Sequence, residues 1–134
     1  MKRFFLLTII LTAGAVAGRV VAQDAASASK RANQQYVLFE SERDKGTDVT
    51  AMYDSLLESY ANFIKVVEAP DNGQYLEGAK NRLRSLYPYL LNGAVYYSEQ
   101  KQPAKALDLA AAYIDMPQLP AFSSELLPKD SRYA

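Results

Sequence analysis

The stretch that decides the fold is residues 91–115, LNGAVYYSEQKQPAKALDLAAAYID, in which alanine, glycine and tyrosine recur around a polar centre. Residues spaced three, four or seven positions apart lie on one face of an α-helix. Before the polar segment 98–102, a large apolar, a small and an aromatic residue have this spacing: Leu90, Ala94 and Tyr97. After it, two small residues and an aromatic one have the same spacing: Ala106, Ala110 and Tyr113. Small side chains let two helices approach closely, and a ring opposite fills the gap. The stretch therefore predicts an antiparallel helical hairpin.

The rest of the chain also has helical patterns. Apolar residues predict helices over residues 28–45 and 48–69, with Gly46 ending the first and Asp48 capping the second. A third segment, residues 74–100, contains Pro88, which predicts either two helices or one sharply bent helix. The fourth helix is predicted over residues 103–115. No segment alternates polar and apolar residues over a useful length, so we predict an all-α fold of antiparallel helical hairpins.

The spacing within the hairpin resembles the tetratricopeptide repeat, whose first helix carries a large, a small and a tyrosine residue. Leu90, Ala94 and Tyr97 match these positions, and Ala106 matches the first alanine of the second helix. Gly93 departs from the pattern, because the repeat usually has leucine there. Further departures are an exchange of the aromatic and small positions on the second helix and a displaced closing proline. An unrelated helical bundle is the alternative.

The chain as a whole is similar to the N-terminal portion of a longer secreted bacterial protein with tetratricopeptide-like repeats. In that family the first helix of each pair lines a groove for partner segments. The resemblance therefore implies partner contacts at Leu91, Val95 and Ser98. Repeat units bury both faces only when they are stacked. Further repeats or a partner chain are thus expected to complete the solenoid, and we expect an exposed apolar face on helix 103–115.

The N-terminus has the composition of a secretory leader. Lys2 and Arg3 precede an apolar run over residues 4–18, shorter than the roughly 20 residues that span a bilayer. Small and branched residues before Gln23 predict a signal peptide over residues 1–22, cleaved after Ala22. The mature protein is then periplasmic or secreted, and its only membrane contact is transient, through this signal peptide.

Three regions follow the predicted cleavage site. They are a flexible lead-in over residues 23–29, a helical domain over residues 30–116 and an irregular, proline-containing tail over residues 117–134. The full chain has 15 basic and 15 acidic residues, and three of the basic ones lie in the leader. The mature chain is therefore mildly acidic, which argues against a nucleic acid partner.

The chain contains neither histidine nor cysteine. Histidine is the commonest general base and zinc ligand, and cysteine forms disulfides and thiolate metal sites. Their absence excludes most hydrolase and zinc-enzyme mechanisms. We therefore predict no catalytic residues, no cofactor and no metal site, and a protein that is not an enzyme.

Several charged clusters have both a functional and a structural interpretation. Glu40 and Asp44 share a helix face and could act as paired carboxylates in glycoside hydrolysis or calcium binding, but a solvated helix surface is the simpler interpretation. Residues 71–73 lack the ligand spacing of a calcium loop and predict a turn. Lys80 and Arg84 also share a helix face. This basic patch could contact an anion, or it could be a solvated surface.

Tyr89 and Tyr96 are seven residues apart and share a helix face. If Tyr97 packs inward, Tyr96 lies further out, and the pair could stack on sugar rings or anchor a peptide. Packing between neighbouring helix pairs is the structural alternative.

These observations favour a non-catalytic scaffold, exported to the periplasm, that binds a protein or peptide partner. The alternative is a glycan-binding component of an outer-membrane uptake system, with Tyr89 and Tyr96 as the stacking residues. An enzyme that uses Glu40 and Asp44 is the third hypothesis. The repeat-like spacing, the leader and the missing catalytic residue types together favour the scaffold.

Overall fold

The structure, a computed structural model, describes residues 25–123 and residue 127. Within these residues it contains four α-helices, short 3-10 turns and no strand, so the predicted all-α fold is confirmed. The signal peptide predicted over residues 1–22 lies outside the described residues, as do residues 23 and 24 and most of the chain after residue 123.

Helix α1 covers residues 25–45 and buries one apolar face. The buried residues recur every three or four positions: Ala25, Ala28, Ala32, Tyr36 and Phe39. Because residues 25–29 are helical, they extend α1 and are not the flexible lead-in that was predicted. Gly46 ends the helix with φ of 66°, a left-handed conformation that glycine adopts without steric cost.

Helix α2 is Val49–Glu68, and its start is the one predicted. The carboxylate Oδ1 of Asp48 accepts a hydrogen bond from the backbone N–H of Ala51 at 2.9 Å, which satisfies one of the free donors of the first turn. On the buried face, the hydroxyl of Ser59 donates to the carbonyl oxygen of Ala32 at 3.0 Å. This bond joins α2 to α1 inside the core.

A 3-10 turn, Gly73–Tyr75, leads into α3, Leu76–Glu99, which continues through Pro88. The prediction of two separate helices is therefore wrong. Leu86, Tyr87 and Leu90, on both sides of the proline, are all buried. A proline inside a helix costs about 3 kcal/mol, whereas burying each large apolar side chain contributes about 2 kcal/mol. Burial along the whole of α3 thus outweighs the missing backbone hydrogen bond.

Residues 100–102 make the tight turn that was predicted between α3 and α4, Pro103–Asp115. Lys101 has φ of 58°, in the left-handed region. Its backbone N–H donates to the carbonyl oxygen of Ser98, and the backbone N–H of Gln102 donates to the carbonyl oxygen of Tyr97. These two bonds form a Schellman motif, which satisfies carbonyls at the end of α3. Pro103 then opens α4 in the first turn, where its missing N–H has no consequence.

The four helices run alternately up and down. The ring of Tyr87 stacks on that of Tyr113 at 4.8 Å, whereas the amino group of Lys105 lies 5.2 Å from the ring centre of Tyr97. Earlier residues of α3 thus meet later residues of α4, as in an antiparallel hairpin. Helix α1 packs on α3 through Phe39 and Tyr89, whose ring centres are 5.1 Å apart.

The predicted seam between α3 and α4 is correct for α3 and only partly correct for α4. Leu90, Ala94 and Tyr97 are all buried. On α4 the buried residues are Leu109 and Ala112, whereas Ala106, Ala110 and Tyr113 are half-buried at the edge of the core. On α4, Leu109 lies against Gly93 of α3, beside Tyr53 of α2. Because Gly93 has no side chain, Leu109 fits there, and the buried face of α4 is centred on Leu109 and Ala112.

After α4 the chain folds back in two 3-10 turns, Met116–Gln118 and Pro120–Phe122. Met116 and Phe122 are fully buried. The tail predicted to be irregular from residue 117 is therefore part of the packed structure as far as residue 123. Its prolines allow only short 3-10 turns, as expected, and Phe122 of the second turn lies in the core.

Candidate functional site

An apolar groove of about 530 Å³ runs between α3 and α4 on the outside of the hairpin. Its lining is mostly small or aliphatic and comes equally from both helices: Ala94, Val95, Ser98, Glu99, Pro103, Ala106, Leu107 and Ala110. Alanines form much of the lining, so the two backbones leave a shallow depression between them. Ser98 and Glu99 make one end polar.

Next to this groove, α4 exposes an apolar stripe. The stripe consists of Ala104, Leu107, Ala111 and Ile114, all solvent-exposed. Leu107 is 68% exposed and Ile114 is 61% exposed, which is unusual for two large aliphatic residues on one short helix. The exposed apolar face that was predicted for this helix is therefore confirmed. Together, groove and stripe form one continuous surface, which we term the α4 face.

Acidic residues border the α4 face. Asp108 and Asp115 are exposed and lie seven residues apart along one edge, and Glu99 lies at the polar end of the groove. Burial raises the pKa of the neighbouring Tyr60 hydroxyl to about 12, and the negative charges of Asp115 and Glu68 add to this rise. Asp115 of α4 and Glu68 of α2 thus both place negative charge near the Tyr60 hydroxyl.

Of the residues that the resemblance implied for partner binding, two lie in the groove. Val95 and Ser98 are among its lining residues, whereas Leu91 is half-buried and lies outside that set. The α4 side of the groove, above all Leu107, was not among the residues predicted for partner binding, although an exposed apolar face was predicted for this helix. The signal was present in the 3-4-3 spacing of residues 104, 107, 111 and 114.

Tyr89 and Tyr96 occupy a different surface, where they make intramolecular contacts. Tyr89 packs edge-on against Phe39 of α1, and Tyr96 lies 5.2 Å from the ring centre of Tyr53 and is hydrogen-bonded to Thr50. Both tyrosines are half-buried. The structure therefore places them in packing between neighbouring helices, the alternative to an open pair of stacking rings.

The charged clusters noted in the sequence serve local structure. Arg43 pairs with Glu40 at 3.9 Å and with Asp44 at 3.3 Å, as expected of a solvated helix surface. Lys80 and Arg84 have their cationic groups 5.8 Å and 5.6 Å from the ring centre of the buried Phe122. This patch therefore covers the tail, a role that the sequence analysis did not foresee.

A polar cluster joins three helices at one end of the molecule. The carboxylate of Asp54 on α2 accepts a hydrogen bond from the hydroxyl of Tyr97 on α3 and another, at 2.9 Å, from the amino group of Lys105 on α4. Partial burial favours a higher pKa for Asp54, but the bonds from Lys105 and Tyr97 outweigh it and the pKa is lowered. The pKa of Tyr97 is raised, mainly by burial and further by the hydrogen bond to the carboxylate of Asp54 and its negative charge.

These shifts predict how stability depends on pH. Tyr97 has a folded-state pKa above its unfolded value of about 10, so its contribution is complete below pH 10 and is lost as the pH rises. Asp54 has a lowered pKa, so its contribution is complete above about pH 4 and is lost as the pH falls. We expect Tyr97→Phe to cost about 1 kcal/mol of unfolding free energy at pH 7, because the cluster is partly exposed.

Urea unfolding at a series of pH values measures this effect. The difference between the wild type and Tyr97→Phe should shrink above pH 10, and the difference between the wild type and Asp54→Asn should shrink below pH 4. Differences that stay constant across both ranges would show that the cluster does not hold the three helices together.

Two further properties bear on chemistry. Within residues 25–123, no group of three acidic side chains converges in a way that could hold a metal ion, and the chain has no histidine or cysteine. None of the described helices combines the length and the apolarity that a membrane crossing requires.

Comparison with models of known protein families, with curated proteins and with solved structures gives no match to this chain.

Proposed function

We propose that this protein is a non-catalytic interaction module that binds a helical segment of another protein on its α4 face. The observation that carries the proposal is the exposure of Leu107 and Ile114 beside an apolar groove. Single exposed apolar residues are common on protein surfaces, but a contiguous apolar face on one helix beside a groove is typical of an interaction surface. Grooves between two helices commonly receive the apolar face of a third.

The resemblance to the tetratricopeptide repeat supports the same proposal. In this interpretation α1–α2 and α3–α4 are successive hairpins, and the α4 face is the place where a solenoid continues or a partner docks. The leader predicted over residues 1–22 supports export to the periplasm, which N-terminal sequencing of the mature chain would test.

A library of displayed helical peptides selected against the protein tests the proposal. We expect the selected peptides to bind on the α4 face, and Leu107→Glu should weaken them at least about tenfold because it places a charge in the apolar contact. Val37→Glu is the matched control, since Val37 is 62% exposed and lies on α1. If the selected peptides bind the Leu107→Glu variant as tightly as the wild type, the proposal is contradicted.

A further inference from the structure

The spacing of the apolar stripe on α4 identifies the shape of its partner. The stripe has alternating steps of three and four residues, at positions 104, 107, 111 and 114. In paired helices, side chains with this spacing pack as knobs into the holes between side chains of the facing helix. The opposite face of α4 is already used, because Leu109 and Ala112 are buried in the core. Helix α4 is therefore apolar on two sides, which is typical of a helix that has neighbours on both.

The charges around the stripe identify the chemistry of that partner. Asp108 and Asp115 occupy the positions that flank the seam on one edge, where paired helices place charged residues that select a partner. Glu99 lies at the polar end of the groove. Among the described residues, these three carboxylates are not ion-paired with a cation. A helix seated here thus meets negative charge along one edge of the stripe and at one end of the groove.

A second copy of the chain fits this arrangement poorly. If two α4 helices paired antiparallel through Leu107 and Ala111, the two copies of Asp108 would lie near each other at the centre of the seam. A parallel pair would set Asp108 against Pro103 and Asp115 against Ala110 of the second copy, and neither of these partners supplies a positive charge. Like charges that face each other at these flanking positions disfavour association. A carboxylate that faces an uncharged residue adds nothing to the binding free energy.

We propose that the α4 face binds a basic amphipathic helix supplied by another protein. Apolar residues of that helix, spaced three and four apart, pack between Leu107 and Ile114 and over the alanines of the groove. Lysine or arginine residues along one edge of that helix reach Asp108 and Asp115, and another at its end reaches Glu99. This inference rests on the proposed function and adds the chemical class of the partner.

The inference is tested by fluorescence anisotropy with three synthetic helical peptides. All three share the same apolar face, and their flanking positions carry lysine in the first, glutamine in the second and glutamate in the third. We expect the lysine peptide to bind on the order of tenfold more tightly than the glutamine peptide at low salt, and the advantage to decrease as salt screens the charges. The triple variant Glu99→Lys, Asp108→Lys, Asp115→Lys should reverse the order and favour the glutamate peptide.

The outcomes separate the inference from the proposed function. Equal binding of all three peptides, with loss on Leu107→Glu, would overturn the basic partner and leave the interaction module standing. Binding that is indifferent to Leu107→Glu would overturn both. Size-exclusion chromatography completes the test, because a concentration-dependent dimer that Leu107→Glu dissociates would show that a second copy is the occupant and would overturn the inference.

Discussion

Phe122→Ala should lower the free energy of unfolding by about 3 kcal/mol, the lower range for truncating a buried phenylalanine. Phe122 lies beyond the last α-helix, but its side chain is fully buried. Lys80 and Arg84 place their cationic groups over its ring, which adds cation–π attraction to the apolar burial. Chemical denaturation measured by circular dichroism gives the value.

Ile114→Ala provides the control for this prediction. Ile114 is a comparably large apolar residue that is 61% exposed, so its truncation should change the unfolding free energy by no more than about 0.5 kcal/mol. If Phe122→Ala were equally harmless, the segment after α4 would not belong to the cooperatively folding unit. A loss confined to the Phe122 variant would establish that it does.

Gly93→Leu should destabilise the protein by about 3 kcal/mol, although leucine is the usual residue at this position of the tetratricopeptide repeat. At Gly93, α3 approaches both α2 and α4 closely. A β-carbon there would lie 2.7 Å from Cδ1 of Leu109 and 2.9 Å from Cδ1 of Tyr53, well inside van der Waals contact. Both neighbours are buried, so neither side chain can move aside without disturbing the core.

Alanine substitutions at two glycines of the same helix provide the matched comparison. Gly93→Ala should cost about 1 kcal/mol, because overpacking of about 2 kcal/mol exceeds the gain of up to about 1 kcal/mol in helix propensity. Gly78 is exposed, and a β-carbon added there would have no neighbouring atom within 4 Å, so Gly78→Ala should be stabilising by a few tenths to about 1 kcal/mol. Thermal melts of both variants should therefore shift in opposite directions. Shifts of the same sign would contradict the close approach at Gly93.

Helix boundaries in this protein depend on local chemistry, which is why the sequence predicted them well. Gly46 and Asp48 act within one turn of their own position, as a left-handed stop and as a side-chain cap. Pro103 begins α4 for a similar reason. Pro88 behaves differently, because its effect depends on how much apolar surface is buried along the whole of α3.

The candidate site was predictable in part. Val95 and Ser98 follow from their places relative to Ala94 and Tyr97, and the structure places both in the groove. Tyr89 and Tyr96 were harder to assign, because helical spacing shows that two residues share a face but not which helix covers that face. Here α1 and α2 cover it, through Phe39 and Tyr53.

By itself, the sequence determined the all-α class, the tight turn between α3 and α4 and the existence of an apolar surplus on α4. These features depend on the spacing and backbone preferences of residues close together in the chain. Only the tertiary structure decided which face of α4 is buried and that Phe122 belongs to the core. The physical reason is that burial depends on neighbours distant in sequence: Leu109 of α4 packs against Gly93 of α3, and on the other side of α4 Leu107 and Ile114 are exposed to solvent.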